Sequence, residues 1–395
     1  MDRRTLLKSA AIAPFALAAS GRLFAAPSAG AKLLIVFLRG GYDAANLLVP
    51  TSSPYYYESR PNIAVPKPGS NASAAIALDA DWGLHPALAA SVHPLYLKNQ
   101  VAFVPFAGTD DLSRSHFETQ DSIELGQPLG GARNFQSGFL NRLVATMEDH
   151  AGMSFTDQLP LIFRGDTQIP NMALRNLARP AVDPRQTEVI REMYQGTPLE
   201  SSVNEGFSVR DEVMRDMASE MEMANRNAIT TKGFELEARR IAKLMNERYD
   251  IGFIDVGGWD THVGEGGGAG YLATRFEELG RGLAVFANEM AGRWNDTIVV
   301  VLSEFGRTFR ENGNRGTDHG HGTVYWLLGG GLRGGSIAGE QVRVERASLL
   351  QDRDYPVLNE YRALLAGVVQ RMFGLDKSRL QSVFPGVEPR DLKLI

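Results

Sequence analysis

The chain has 395 residues, of which 44% are apolar and 22% are charged, and its formal net charge is −5. This length allows one large domain or two ordinary ones, each with a buried core. The acidic balance and the lack of a basic stripe argue against a nucleic-acid partner. The sequence contains no cysteine, which excludes disulfides, thiolate metal sites and a lipidated cysteine. Any metal therefore has to be held by oxygen and imidazole nitrogen.

Residues 1–31 are typical of a twin-arginine export signal with its cleavage region. Arg3 and Arg4 precede an apolar stretch at 10–19, and small residues follow at 25–31. The apolar stretch is short for a bilayer span, which favours a cleaved signal over a stable membrane anchor. The alternative is an ordinary secretory signal with a fortuitous arginine pair. We expect a periplasmic or extracellular protein whose partner during export is the twin-arginine translocase.

Five apolar runs predict strands, four of which lead into glycine turns. They are "KLLIVFLRGG" (32–41), "VAFVPFAG" (101–108), "IGFIDVGG" (251–258), "TIVVVLSE" (297–304) and "VYWLLGGG" (324–331). Runs that are apolar on both faces are typical of central parallel strands. Stretches that favour helices lie between or after them, at 137–150, 208–248 with a break near 229–231, 271–292 and 359–375. This alternation predicts an α/β fold with a mostly parallel central sheet covered by helices on both faces. We expect a single domain over 32–395 with loop insertions, including an irregular loop at 51–75.

Polar side chains follow the predicted strands, where an open parallel sheet forms its ligand crevice. The candidate metal ligands among them are Asp43, Asp260, His262, Glu304, Asp318, His319 and His321. Carboxylates and imidazoles without sulfur suit zinc, manganese or a harder divalent ion such as magnesium or calcium, and this number of ligands can hold two ions. Ser115 opens a predicted helix and is the candidate nucleophile. Arg39, Arg114 and Arg307 are candidates for binding an anionic substrate.

Taken singly, these residues have plainer interpretations. Asp43 and Ser115 could each cap a helix, and Glu304 could simply pair with Arg307. Which of Asp318, His319 and His321 faces the crevice stays open, although alternation along an extended segment favours the two histidines, with Asp318 behind them. His85 and His93 each precede a proline and are interpreted as packing or capping residues, whereas His116 is left undecided. The glycine clusters at 264–270 and 329–339 lack the context of a phosphate loop, so no nucleotide cofactor is expected.

Five motifs carry a family resemblance between Lys32 and Leu375. They are "FLRGGYDAANLLVP", "SRSHFETQD", "GGWDTH", "VVVLSEFGRT" and "GTDHGHGTVYWLLGGG". In this order behind a twin-arginine signal, they resemble the exported bacterial domain-of-unknown-function 1501 family, which is similar to the alkaline phosphatase and sulfatase superfamily. The resemblance implies an alkaline-phosphatase-like α/β fold.

The resemblance also implies roles for individual residues. It assigns a metal-binding aspartate to Asp43, a nucleophile to Ser115 with Ser113 second, one ion to Asp260 and His262, and a final ligand to His319 or His321. The sequence departs from the superfamily at Ser303-Glu304, where an Asp-His pair is usual, and in the tighter spacing of "WDTH".

The expected function is therefore an exported metal-dependent hydrolase of phosphate or sulfate esters, with a small anionic ester as substrate. In this interpretation Ser115 attacks the ester, while Asp43 and Glu304 hold one of two ions. The alternative is a non-catalytic exported binding protein that keeps the crevice of the hydrolase fold.

Overall fold

The structure, a computed structural model, describes residues 30–147, 149–174, 184–209 and 233–395. The predicted export signal, apart from its last residues, and the predicted helix break near 229–231 lie outside these ranges. Within them, no helix combines the length and the apolar character that a membrane crossing requires.

An eight-stranded sheet forms the centre of the fold, in the order β10-β5-β9-β8-β1-β7-β6 with β11 beside β5. Its strands are β1 (Lys32–Leu38), β5 (Val101–Gly108), β6 (Gly152–Ser154), β7 (Ile251–Val256), β8 (Thr297–Ser303), β9 (Thr323–Leu328), β10 (Ser336–Ile337) and β11 (Asn359–Glu360). Neighbouring strands are parallel except that β9 runs antiparallel to both β5 and β8. The predicted mostly parallel sheet is confirmed. A small antiparallel sheet is formed by β2 (Leu48–Val49), β3 (Ile76–Ala77) and β4 (Gly83–Leu84).

Helices fill most of the connections. They are α1 (Ala44–Leu47), α2 (Pro54–Ser59), α3 (Val92–Leu97), α4 (His116–Leu125), α5 (Phe139–Ala145), α6 (Pro184–Tyr194), α7 (Phe234–Glu247), α8 (Tyr271–Met290), α9 (Tyr361–Phe373) and α10 (Lys377–Val383). The segment 51–75, predicted to be irregular, in fact contains α2. The Ser53 side chain accepts a hydrogen bond from the Tyr56 N–H, and Pro54 occupies the first helical turn. Both features favour a helix start.

Helices cover both faces of the sheet, as predicted. Strand β1 is buried along its whole length, and its side chains alternate between two cores. Leu34 and Val36 face a core to which α7 and α8 contribute. Leu33 and Ile35 face the opposite core, which contains much of α9. Burial on both faces explains why the strand sequences are continuously apolar.

The antiparallel direction of β9 brings an additional segment to the sheet edge where the parallel strands end. Thr323, at the start of β9, pairs with Ala107, near the end of β5. The residues that precede β9 therefore lie at the same edge of the sheet as the residues that follow β5 and β8. Because β1 lies between β7 and β8, the segments after these strands also meet there.

Candidate functional site

Three imidazoles and one carboxylate converge at this edge of the sheet. Among the residues that the structure describes, His116, Asp260 and His319 can each bring one ligand atom within 4.8 Å of the others. His262 adjoins them, with its Nε2 2.9 Å from Asp260 Oδ1 and 3.2 Å from His319 Nε2. His319 Nε2 lies 3.3 Å from Asp260 Oδ1, and His116 Nε2 lies 3.6 Å from Asp260 Oδ2. We call these four residues the imidazole cluster.

Two of the imidazoles are held from behind by carboxylates. His116 Nδ1 is 2.7 Å from Glu304 Oε1, and His262 Nδ1 is 3.1 Å from Asp318 Oδ1. A carboxylate only accepts hydrogen bonds, so each Nδ1 carries the proton and donates it. The Nε2 atoms of both rings are thereby turned toward the cluster.

The third imidazole is held by the backbone. His319 Nδ1 is 3.0 Å from the Arg114 carbonyl oxygen, which also only accepts a hydrogen bond. All three rings therefore use Nδ1 for a fixed partner, and each Nε2 lies within 3.6 Å of an Asp260 carboxylate oxygen. Histidines that bind metals show this arrangement, because the Nδ1 partner fixes both the tautomer and the ring orientation.

The spacing and chemistry of these atoms fit a divalent metal ion. His116 Nε2 is buried and makes no hydrogen bond. The Nε2 atoms of His262 and His319 face one another at 3.2 Å although both Nδ1 atoms donate elsewhere, so the pair needs either a second proton on one ring or a cation nearby. Tetrahedral ligands at zinc distances are about 3.3 Å apart, close to the separations seen here. Three imidazoles favour zinc or another first-row metal over magnesium and calcium, which prefer oxygen.

Arg307 keeps the cluster carboxylate ionised. Its Nη1 lies 2.6 Å from Asp260 Oδ1, and its Nη2 donates to the Thr317 carbonyl at 2.7 Å. Burial alone would raise the pKa of Asp260, but the hydrogen bond and charge of Arg307 bring it below its ordinary value. Asp260 is therefore an ionised carboxylate, which can accept a hydrogen bond from Arg307 and also bind a cation.

Glu304 is fully buried behind His116. Its Oε1 accepts hydrogen bonds from His116, from the Gly40 N–H at 2.9 Å and from Gln120 Nε2 at 2.9 Å. Burial would raise the pKa of Glu304, but the hydrogen bonds from His116 and Gln120 lower it. Gly40 has φ 122, and a Cβ there would lie 2.6 Å from the Asp260 nitrogen, so glycine permits this close approach. Glu304, predicted as a metal ligand, contacts the cluster through His116.

Asp43 was predicted to hold one ion together with Glu304, but it lies in a separate buried group. Both of its carboxylate oxygens accept from Arg60, with Nη2 3.0 Å from Oδ1 and Nη1 on Oδ2. Arg60 and Glu265 are also buried, and Arg60 Nη1 is 4.0 Å from Glu265 Oε1. We call these three residues the Arg60 cluster. The structure does not place Asp43 in the imidazole cluster, and among the described residues the group that could hold an ion is His116, Asp260 and His319.

The segment before β9 contributes one imidazole. His319 enters the imidazole cluster, whereas His321 is buried outside it and its pKa is lowered by burial. Asp318 contacts the cluster through His262 and also accepts from Asn312 Nδ2 at 3.1 Å. The structure thus distinguishes the two histidines that sequence reasoning left together.

Each candidate anion-binding arginine has a carboxylate partner inside the protein. The partners are Glu124 at 2.6 Å and Asp255 at 3.2 Å for Arg39, Asp354 at 2.7 Å for Arg114, and Asp260 at 2.6 Å for Arg307. The charge of each guanidinium group is therefore already balanced by a carboxylate of the protein, before any anionic substrate binds. Glu304 and Arg307 do not pair with each other in the structure, since Arg307 binds Asp260.

Ser115 occupies the N-cap of α4 without making a side-chain capping hydrogen bond. Its chain neighbours both touch the cluster, Arg114 through its carbonyl and His116 through its ring. The Ser113 hydroxyl, in contrast, lies 3.3 Å from Thr119 Oγ1 and accepts from the Ser115 N–H. The structure leaves the Ser115 hydroxyl less engaged than that of Ser113.

Two elements of the site were not found from the sequence. His116, left undecided, belongs to the cluster, and it follows β5 just as the other site residues follow their strands. That position was the available signal. Arg60 directly follows α2, and no sequence pattern marks it as part of the site, because its ion pair with Asp43 depends on the tertiary fold.

Residues 31–384 match the family described as "Protein of unknown function (DUF1501)". The chain belongs to this family. The match covers both residue clusters and all of the central sheet, so the site lies within the family's common region. A search of curated protein sequences finds no match to the chain.

Several solved structures resemble the fold. A Vibrio parahaemolyticus protein in the alkaline phosphatase superfamily is 12% identical, with a TM-score of 0.41 over 94% of this chain and 71% of that one. The lipoteichoic acid synthase LtaP from Listeria monocytogenes is 9% identical, with a TM-score of 0.39 over 92% and 75% of the two chains. A complex of Ps i-CgsB with k-i-k-neocarrahexaose is 8% identical, with a TM-score of 0.37 over 92% and 75%. At these identities and scores, the similarities do not assign an activity to the chain.

Proposed function

We propose that the chain is a metal-dependent hydrolase of phosphate or sulfate esters, with one divalent ion in the imidazole cluster. The observation that carries the proposal is the shared orientation of His116, His262 and His319, each fixed at Nδ1 and open at Nε2. Asp260 completes the set with a carboxylate oxygen. Each of the three Nε2 atoms lies 2.9–3.6 Å from an Asp260 oxygen, which supports a cation held among them.

The four residues of the imidazole cluster would hold the ion, with zinc as the best fit to their chemistry. A bound divalent ion acts as a Lewis acid on an ester oxygen and lowers the pKa of a nearby hydroxyl or water. Glu304 and Asp318 orient the rings of His116 and His262. Asp260 is 44% exposed, so the cluster is open to a substrate from solution.

Ser115 is the nucleophile in this proposal. It stands at the amino end of α4, where backbone N–H groups and the helix dipole favour an anionic group. Its Oγ forms a bond to phosphorus or sulfur as the bond to the leaving alkoxide breaks, and the serine proton passes to that alkoxide, which departs as the alcohol. Water then hydrolyses the serine ester, which regenerates Ser115 and yields inorganic phosphate or sulfate.

One observation favours the second candidate function, a non-catalytic binding protein. Arg39, Arg114 and Arg307 are all paired with carboxylates of the protein. The structure therefore gives a doubly charged ester few unpaired cations. In this second reading the ion itself, with the amino end of α4, binds an anionic ligand without turnover.

A kinetic comparison separates these functions. The purified protein is loaded with zinc or manganese and assayed against aryl phosphates and aryl sulfates. We expect turnover that depends on the metal. Ser115→Ala should lower this turnover by orders of magnitude, and the matched variant Ser113→Ala should largely keep it. Metal binding without any turnover would contradict the hydrolase and support the binding protein. Turnover unchanged in Ser115→Ala would remove the serine from the mechanism.

We also propose that the protein acts outside the cytoplasm after twin-arginine export. Support comes from the sequence of the first 31 residues alone. Fractionation of cells that produce the full chain tests this, with Arg3→Lys and Arg4→Lys combined in one variant. Export of the wild type and retention of the variant are expected, and export that is unaffected by the substitutions would contradict the route.

A further inference from the structure

Glu265 lies between the two loops that carry most of the imidazole cluster. Its side chain is fully buried, and its Oε2 accepts a hydrogen bond from Thr261 Oγ1 at 2.7 Å. Thr261 stands directly between Asp260 and His262 in the chain. One carboxyl oxygen of Glu265 is thus bound to the residue that links two members of the cluster.

The same oxygen also holds the second loop. Thr317 Oγ1 donates to Glu265 Oε2 at 2.9 Å, and Thr317 precedes the segment that contains His319. Thr317 Oγ1 in turn accepts from Arg307 Nε at 3.2 Å, and Arg307 Nη1 reaches Asp260. A continuous hydrogen-bonded path therefore runs from Glu265 to the cluster carboxylate.

The backbones of the two loops are in direct contact at this point. The Thr317 N–H donates to the Thr261 carbonyl at 3.0 Å, and the Glu265 N–H donates to the Arg315 carbonyl at 3.0 Å. A Cβ at Gly316 would lie 2.4 Å from the His262 carbonyl carbon, so a side chain cannot fit there. Small changes in the separation of the loops would therefore be felt at His262.

The surroundings of Glu265 favour a neutral carboxylic acid. Burial raises the pKa of Glu265 well above its ordinary range, and the neighbouring Asp43 carboxylate raises it further. Arg60 is already neutralised by Asp43. Glu265 is thus not needed for charge balance in the Arg60 cluster, and a glutamine, which is neutral and of the same shape, can replace it.

We propose that Glu265 is a positioning residue that sets the distance between the Asp260–His262 loop and the loop bearing His319. It does so by holding Thr261 and Thr317 on one oxygen. The interpretation of that distance as a spacing between metal ligands rests on the proposed metal-dependent function. The hydrogen bonds from Thr261 and Thr317 to Glu265 do not depend on that function.

The test compares Glu265→Ala, Glu265→Gln and Asn141→Ala in the full-length protein. Asn141 is a control because it is buried on α5 and donates to the Phe163 and Thr167 carbonyls at 2.9 and 2.7 Å, with no contact to either loop. Zinc Kd is measured by chelator competition, and thermal unfolding of the metal-free protein is measured in parallel. The absorption spectrum of the cobalt-loaded protein reports the ligand geometry.

We expect Glu265→Ala to weaken zinc binding by about 10- to 100-fold and to change the cobalt spectrum, as loss of a residue behind a ligand does elsewhere. Glu265→Gln should keep the wild-type Kd and spectrum, because its amide oxygen still accepts from both threonines. Asn141→Ala should lower the unfolding temperature without changing the Kd. A Glu265→Ala protein that is less stable but binds zinc like the wild type would overturn the proposal.

A second readout does not depend on metal. In the metal-free protein, long-range proton–nitrogen NMR spectra report the ring nitrogens of His262 and His319. Glu265→Ala should shift these signals, and Asn141→Ala should not. If the wild type binds no zinc but these shifts occur, the proposed function fails while the positioning role stands. If the signals are unchanged, the positioning role fails.

Discussion

Two clusters at the same edge of the sheet use aspartate in opposite ways. Asp43 follows β1 and is 1% exposed, whereas the side chain of Asp260, which follows β7, is 44% exposed. Both were candidate metal ligands because both follow a strand. The difference lies in their partners. Arg60 takes both oxygens of Asp43, whereas Arg307 takes only Oδ1 of Asp260 and imidazole nitrogens lie within 3.6 Å of the Asp260 oxygens.

The comparison shows how a guanidinium partner decides whether a strand-end carboxylate keeps an oxygen that could bind a cation. A guanidinium group fills a carboxylate with paired N–H donors and leaves no oxygen for a cation. A neutral imidazole that is protonated at Nδ1 has a lone pair on Nε2, and several such Nε2 atoms close together can bind a cation. Both oxygens of Asp43 are occupied by Arg60, whereas the buried His116 Nε2 of the imidazole cluster has no hydrogen-bond partner.

The largest expected effect is the loss of a ligand from the imidazole cluster. His319→Ala should weaken zinc binding by about 100-fold or more, because it removes one of the three imidazoles and leaves two imidazoles and one carboxylate. Isothermal titration with zinc measures this. His321→Gln, two residues away and outside the cluster, is the matched control and should bind zinc like the wild type. If His321→Gln loses zinc and His319→Ala keeps it, the ion does not bind in the imidazole cluster.

The next effect concerns the Arg60 cluster. Asp43→Asn leaves the always charged Arg60 buried without its partner, which should lower the free energy of unfolding by about 3–5 kcal/mol. Urea unfolding of the metal-free protein measures the change. The folded variant should still bind one zinc ion per chain. A variant of normal stability that has lost zinc would instead make Asp43 a ligand, as the sequence suggested.

A smaller effect is expected behind the cluster. Glu304→Gln removes the negative charge that holds His116 Nδ1–H, and zinc affinity should fall by about 10- to 100-fold. Asp255→Asn changes another strand-end carboxylate that pairs with Arg39 and not with an imidazole. Its zinc Kd should match that of the wild type. Equal losses in both variants would point to general electrostatics rather than to ring orientation.

The smallest effect should come from Asp318→Asn. The Asp318 side chain is 52% exposed, so water screens its hydrogen bond to His262, and Asn312 shares the same oxygen. We expect a loss of zinc affinity below that of Glu304→Gln, by the same titration. A larger loss of zinc affinity than in Glu304→Gln would show that solvent exposure does not determine how much each of these two carboxylates contributes.

The strands and their ligand edge could be predicted from sequence because strands buried on both faces are continuously apolar. The partners of the polar residues could not. Arg60 reaches Asp43 from α2's C-terminal end, and nothing in the local sequence marks that pairing. The choice of His319 over His321 depends on how the Gly306 N–H binds the His321 carbonyl, which is a tertiary contact.

The most direct test is anomalous diffraction at the zinc edge from crystals of the zinc-loaded protein. We expect one peak per chain, within bonding distance of the Nε2 atoms of His116, His262 and His319 and of an Asp260 oxygen. The absence of a peak at this position, or a peak between Asp43 and Glu304, would contradict it.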